Sequence, residues 1–525
     1  MVAACLAALL ADTGTLTHLI ETVLPRYALN TLALILLVGL GTFVIGVSSA
    51  FLVVMTEFPG RRFIEIALVL PLALPAYVLA YAYTHILDHP GIVQTVLRDL
   101  TGWGPRDYWF PEIRSLGGAA AMLIIVLYPY VYLLTRAALL GQSASYFSAA
   151  RSLGDSPVRI VRTIYLPLVR PAIAGGLLLA TMETLADFGT VAYFGVQTFA
   201  TGIYTSWFSM ADRGAAAQLA VGLLAIALLI AGLERFSRRA ARYDTGRRRQ
   251  DLPRFELRGN TRWLALGFLA VPLALGVVIP VVSLFNMALT SEQDLLSDRY
   301  LGFIRNSFTL ALIAALVTVT AAVLLGSLHR FMPGRLALGA LYAGRLGYAV
   351  PGGVIAVGLL VPFAAFDNAL DAWMRANFDL STGLLITGSI WLLVGAYTIR
   401  FLAAALGAYE GGMANISPNM DAAARILGRD AAGAIWQVHL PLLRPSLLTA
   451  FLIVFVDVMK ELPATLIMRP FNFDTLAVQA HRLAADERLE GAAVPSLVIV
   501  VIGILPLILL IRSMTAERPA ARSPA

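Results

Sequence analysis

Long apolar runs separated by short, arginine-rich polar stretches dominate this 525-residue chain. A helix crosses a bilayer core with about 20 apolar residues. Eleven runs reach that length, near 29–55, 63–86, 116–137, 171–193, 214–233, 262–289, 307–328, 337–364, 383–408, 445–468 and 494–512. They are too long and too evenly apolar for barrel strands, which alternate with period two, so each predicts a helix. Residues 2–10 are apolar as well but end at Asp12, with no basic residue before them. They read as a surface or remnant segment, with a cleaved signal peptide as the lesser reading. The predicted fold class is an all-α polytopic membrane protein with eleven transmembrane helices, or twelve if the N-terminal stretch forms one.

Composition narrows the function. The chain is 59% apolar and only 14% charged, with a mean hydropathy of +0.78. Soluble domains usually carry about 25% charge, and a soluble enzyme of this make-up would expose large apolar patches. The single cysteine, Cys5, excludes an intramolecular disulfide and Cys-rich metal centres. The single lysine, Lys460, is followed by Glu461, so the chain has no Gly-Lys-Ser/Thr phosphate-binding loop. There is no HExxH motif and no serine triad, which leaves an intramembrane enzyme unsupported. If ATP drives the protein, another subunit binds it.

Arginine sets the orientation. With 234–261 placed inside and the spans alternating, twenty-six basic residues fall on the inner side and eleven on the outer. The N-terminus is then outside and the C-terminus cytoplasmic. The basic pI of about 9.6 follows from these flanking arginines and does not indicate nucleic acid. The run Arg247, Arg248, Arg249 reads as a juxtamembrane anchor on anionic lipid. The chain is expected to cross its membrane many times.

The two halves repeat. Residues 149–171, AARSLGDSPVRIVRTIYLPLVRP, align with 423–445, AARILGRDAAGAIWQVHLPLLRP, at ten of 23 positions. Asn30 and Asn306 open equivalent spans. Six crossings separate equivalent helices, so both copies face the same way, as parallel repeats about an axis along the membrane normal. The expected organisation is an N-terminal periplasmic or interfacial segment (1–28), a first repeat (29–233), a basic cytoplasmic linker (234–261) and a joining helix with a periplasmic loop (262–306). A second repeat (307–512) and a cytoplasmic tail (513–525) follow.

Each repeated block lies in a cytoplasmic loop and reads as helix, turn, helix. Gly154 and Gly428 suit the left-handed position that ends a helix. Ser156 with Pro157, and Asp430, suit the start of the next. Pro167 and Pro441 are expected to stop or kink the chain before it re-enters the membrane. The pattern Ala149-Ala150 to Gly154 to Leu166-Pro167, and again Ala423-Ala424 to Gly428 to Leu440-Pro441, resembles the EAA loop of binding-protein-dependent (type I) ABC importer permeases. The family's first Glu is replaced by Ser148 and Ala422, although Asp421 is adjacent. The resemblance implies a type I permease fold in which these loops dock on a homodimer of a separate ATPase. ATP and Mg would be bound by that ATPase, and this chain would need no cofactor. A periplasmic substrate-binding protein would act from the other side. The stretches ETLADFGT (183–190), YFGVQTFATGIY (193–204) and DVMKELPATLIMRPFNFDTLA (457–477) resemble the ferric-iron type of permease. Related fused permeases carry thiamine or phosphonates, and an ion-coupled secondary transporter is the competing class.

Acids within a membrane are costly and mark function. The 274-residue offset pairs Glu183 with Asp457 and Asp187 with Glu461. Acids four residues apart share a helical face, so a ring of four carboxylates is expected to line the pathway near its outer part, with Lys460 neutralising Asp457 or locking a gate. The alternative is a set of structural ion pairs. His85, Asp88 and His89 form a weak candidate metal pair with one carboxylate, and Tyr81 and Tyr83 beside them suit an aromatic belt. His18, His329, His439 and His481 suggest no catalytic set. Pro71, Pro75 and Pro351 interrupt spans, either as pathway breaks or as packing kinks.

Overall fold

The computed structural model describes residues 13–142, 144–238, 254–294, 297–414 and 416–516. Cys5, the run Arg247 to Arg249, and the tail beyond residue 516 lie outside them. Among the described residues nine helices are long and apolar enough to cross a membrane. They are Leu24–Met55, Leu116–Leu140, Val158–Ala186, Arg213–Glu234, Asn260–Leu289, Asp298–Phe331, Gly352–Phe378, Ile390–Met413 and Ala431–Met459. A pair bent by 93°, Arg61–Ala73 with Ala76–Thr101, has the geometry of a broken span or a re-entrant loop, and the helix Leu489–Ala516 occupies the last apolar run. Counted in chain order, these are spans one to eleven.

Span one shows how sequence becomes packing. Leu29, Leu32, Leu36, Leu40 and Val44 are exposed on one stripe, while Tyr27, Thr31, Leu34, Val38 and Thr42 are buried on the other. The outer stripe is the more apolar because its solvent is lipid. Helix contacts inside the bundle depend on small residues that let backbones approach. A Cβ added at Gly46 would lie 2.8 Å from Val131 Cβ, and one at Gly176 2.6 Å from Val131 Cα. Spans one, three and four meet at that point.

Prolines break two spans at equivalent places. In span two, Pro71 lies in a 3-10 turn, Leu70–Ala73, and Pro75 precedes the second helix, which leaves at 93°. In span eight, the helix Arg335–Leu346 gives way to a 3-10 turn, Gly347–Ala349, and Pro351 precedes Gly352–Phe378. Each proline lacks the N–H that would continue the helix.

Of the two outcomes expected for Pro167 and Pro441, a stop or a kink, the stop does not occur. Spans four and ten begin in the cytoplasmic loop and run through both prolines. Each proline follows a π turn, Val161–Tyr165 or Ile435–His439. The same arrangement recurs at Ala274–Val278 before Pro280. The wider turn shifts the hydrogen-bond register just where proline has no donor to give.

The spans also end earlier than the apolar runs suggest. Span four ends at Ala186 and span ten at Met459, and each is followed by a short separate helix, Gly189–Tyr193 or Pro463–Met468. On the inner side, Thr56–Glu57 and Phe255–Glu256 form a two-residue parallel pair. It places the end of span one and the end of the linker on one face, in keeping with the arginine bias.

The repeat extends to individual hydrogen bonds. Asn30 Nδ2 donates to the Gln197 carbonyl at 2.8 Å, and Asn306 Nδ2 to the Asp474 carbonyl at 3.2 Å. Phe199 N–H donates to the Thr31 hydroxyl, and Leu476 N–H to the Ser307 hydroxyl. In both halves the first span is thus tied to a short outer helix capped by a threonine, Thr198 or Thr475.

Candidate functional site: a central cavity and two cytoplasmic turns

The four acids meet at the seam between the halves. Glu183, Asp187, Asp457 and Glu461 all line one cavity of about 110 Å³, near the outer ends of spans four and ten. They differ in what they do there. Asp187 and Glu461 lie beyond the helix ends, so they do not share a helical face with Glu183 and Asp457. Asp187 accepts from the Thr190 hydroxyl and the Val191 N–H. Glu461 accepts from the N–H groups of Ala464 and Thr465 and from the Thr465 hydroxyl. Both therefore cap the short helices that follow, where the helix dipole favours an anion.

Glu183 and Asp457 face cations. Lys460 Nζ lies 2.9 Å from Asp457 Oδ1 and 3.4 Å from the Leu72 carbonyl of the other half. Arg400 Nη2 lies 3.7 Å from Glu183 Oε2. Charge placement by loop counting puts Arg400 on the cytoplasmic side; the structure corrects this. Arg400 sits in the middle of span nine, 8% exposed, beside Gly352. A Cβ on Gly352 would come within 2.6 Å of Arg400 Nη1 and 2.8 Å of Glu461 Oε1. The only sequence signal for Arg400 was its place inside an apolar run. The expected ring of acids is thus a ring of four acids interleaved with two cations.

Other contacts close the seam. Tyr77 donates to the Lys460 carbonyl, Tyr204 to the Pro463 carbonyl, and Tyr348 to Tyr130. A larger cavity of about 760 Å³ shares Leu72, Tyr130, Asp457 and Lys460 with the small one and reaches Glu234 and Arg345. The Lys460–Asp457 pair lines both spaces. On the outer side a polar cavity of about 590 Å³ is lined by His85, Asp88, Arg114 and Glu487 among others. There Arg114 reaches Asp88 at 3.0 Å and Glu487 at 2.6 Å. The hydrogen bonds from Arg114 hold the Glu487 carboxyl below its usual range.

His85, Asp88 and His89 do not form a metal set. Asp88 is engaged by Arg114 and by the His89 N–H, and His89 is exposed. Among the described residues no group of three His, Cys, Asp or Glu could hold an ion.

The two cytoplasmic turns are built alike. Gly154 and Gly428 take φ of +88° and +75°. Gly154 N–H donates to the Arg151 carbonyl and Asp155 N–H to Ala150; Gly428 N–H donates to Arg425 and Arg429 N–H to Ala424. Both are Schellman caps. Ser156 accepts from Arg159 N–H and Asp430 from Gly433 N–H, so the next helix is capped in each copy. Ala150 and Ala424 are buried at 4% exposure, whereas Ala149 and Ala423 face out. Leu153, Ile426, Leu427 and Trp436 are strongly exposed at the turns.

A duplicated helical bundle whose seam holds a charged cavity is a membrane transport protein. Residues 26–243 match the family model for the binding-protein-dependent transport system inner membrane component. The chain is 27% identical over 493 residues to the Fe(3+)-transport system permease protein FbpB 2 of Haemophilus influenzae, covering 92% of this chain and 88% of that one. It is 26% identical to the probable ABC transporter permease y4fN of Sinorhizobium fredii, covering 86% of this chain and 81% of that one. It is 29% identical to the molybdenum transport system permease ModB of Escherichia coli, covering 38% of this chain and 88% of that one. The first half thus carries the binding-protein-dependent permease module, and the likeness to ABC importer permeases runs along most of the chain, in keeping with a multi-pass inner-membrane protein.

Proposed function

We propose that this permease carries ferric iron, and that its central cavity is the translocation pathway. The observation that carries the cargo is the likeness, along nearly the whole of both chains, to a permease named for Fe(3+) transport. Four carboxylates in the cavity are in keeping with it, since hard oxygen donors suit a hard cation. Glu183, Asp187, Asp457 and Glu461 line the path, and Lys460 sits where the small cavity meets the large one. In this reading the Lys460–Asp457 pair is the closed gate, with the larger space below it open toward the cytoplasm.

The turns around Ala149, Ala150, Gly154, Leu166 and Pro167, and around Ala423, Ala424, Gly428, Leu440 and Pro441, dock on the two subunits of an ATPase homodimer that binds ATP and Mg. Exposed Leu153, Leu427 and Trp436, on loops outside the membrane, give each turn an apolar tip for such a cleft. A periplasmic binding protein would deliver the cargo to the outer face. ATP-driven closure brings the turns together and opens the seam outward; release reverses it.

One observation favours a second reading. Arg400 and Lys460 stand in the same cavity as the acids, and two fixed cations suit an oxyanion such as a phosphonate. The test is uptake of labelled ferric ion by cells lacking their own ferric importers, expressing this chain with its ATPase and binding protein. Uptake that stops with an ATPase-dead mutation supports iron. No iron uptake from a complex that assembles and hydrolyses ATP overturns iron and moves the cargo to an oxyanion or another small solute.

A further inference from the structure

The two cytoplasmic turns share a backbone but not an anchorage. In the second, Asp421 of the helix Pro418–Ile426 is 8% exposed, where an exposed loop acid is the rule. Its Oδ2 accepts from Arg330 Nε at 2.8 Å, and its Oδ1 lies 2.7 Å from Nε2 of His439, which is 1% exposed. Arg330 also donates to the Ile416 carbonyl at 3.1 Å, and Phe331 stacks on the His439 ring at 5.4 Å. Arg330 stands at the inner end of span seven, and His439 ends the π turn of span ten. The carboxylate therefore joins the turn to two spans at once.

The repeat offset puts Phe147 where Asp421 stands and Tyr165 where His439 stands. Both are buried and uncharged: Tyr165 is hydrogen-bonded to the Phe147 backbone, and Phe147 packs at 5.1 Å on Phe255 of the linker. Among the described residues the ion pair of the first turn stays within it, Arg159 with Asp155. One turn is thus held by a triad built on the Asp421–Arg330 ion pair, the other by a neutral hydrogen bond, rings and the end of the linker.

We infer that Asp421 is a positioning residue for coupling: it fixes the second turn to the inner ends of spans seven and ten, so the two turns of one chain pass motion to the membrane unequally. The inference rests on the proposed docking of the ATPase at these turns. A largely buried ion pair resists shear because partial separation leaves charges unpaired in a poorly solvated place. A ring contact tolerates sliding. The second turn should move as one body with its spans, and the first should yield first.

The test uses the full chain in lipid nanodiscs, in a Cys5→Ser background, with a nitroxide at Leu427→Cys or at its counterpart Leu153→Cys; both side chains are exposed. Asp421→Ala is expected to sharpen the spectrum at 427 and leave that at 153 unchanged, with Asp421→Glu restoring part of the immobilisation. In the complete transporter the same Ala variant is expected to lower uptake per ATP about tenfold, within the range of site-to-site couplings, at unchanged complex yield. If Asp421→Ala does not fold, the paired Arg330→Met/Asp421→Leu variant, which leaves no lone buried charge, gives the same reading. Equal loosening at both labels, or unchanged spectra with unchanged uptake per ATP, overturns the inference. An unaltered chain that binds no ATPase would defeat the functional reading instead, and the spectra of the chain alone would still decide the clamp.

Discussion

At the scale of single residues, two kinds of position decide most. Gly154 and Gly428 hold positive φ that costs an L side chain about 1–2 kcal/mol. The double variant Gly154→Val/Gly428→Val is expected to keep its helical circular dichroism while losing most ATPase-driven uptake. Arg400 is the other kind. Its removal leaves Glu183 and Glu461 facing one small cavity without their cation. Breaking a buried pair by deleting one partner typically costs about 3–5 kcal/mol. Arg400→Ala should therefore lower the thermal midpoint in detergent strongly, and Arg400→Ala/Glu183→Gln should recover part of the loss. A double variant no better than the single would show that Glu183 is not the partner that matters.

At the scale of elements, the repeat is a set of matched devices. Asn30 and Asn306 each spend one side-chain hydrogen bond holding an outer helix to a first span. Such a bond contributes about 1 kcal/mol, so Asn30→Ala and Asn306→Ala should depress the thermal midpoint by similar small amounts, and additively in the double variant because the sites are far apart. Strong non-additivity would mean the two outer helices act as one unit. The π turns belong to this scale too. Pro167 and Pro441 suited a stop or a kink by residue type, yet each is absorbed by a register shift in the turn before it, as is Pro280. Residue type alone could not distinguish a stop from a shift, because the choice depends on whether neighbouring spans hold the helix straight.

At the scale of the molecule, the halves are joined through contacts at two depths: Arg114 with Glu487 outside and Arg400 with Glu183 in the middle. The outer contact makes a pH prediction. Glu487 is held below its usual range by the hydrogen bonds of Arg114. A carboxylate with a depressed folded value contributes stability above its unfolded value and loses it as pH falls through the folded one. The difference in thermal midpoint between the unaltered chain and Glu487→Gln should thus be constant from pH 8 to about 5.5 and shrink only below about 4. A difference that fades already near pH 6 would point to a histidine, His85 lining the same cavity, and not to Glu487.

Much of this molecule could be read along the chain. The placement of the long apolar helices follows from apolar run length, because lipid requires satisfied backbones. The turns follow from Gly154, Gly428, Ser156 and Asp430, whose conformations and caps are local. The partners of charges did not follow. Asp187 and Glu461 became helix caps, Arg400 turned from the inner-side count to face Glu183, and His439 left a scattered set to join Asp421 and Arg330. Each outcome depends on which helix ends meet across the seam or beneath a turn, and that is fixed only when the spans pack: a local pattern reports the conformation of its own segment, whereas a buried charge answers to whatever the opposite helix brings to it.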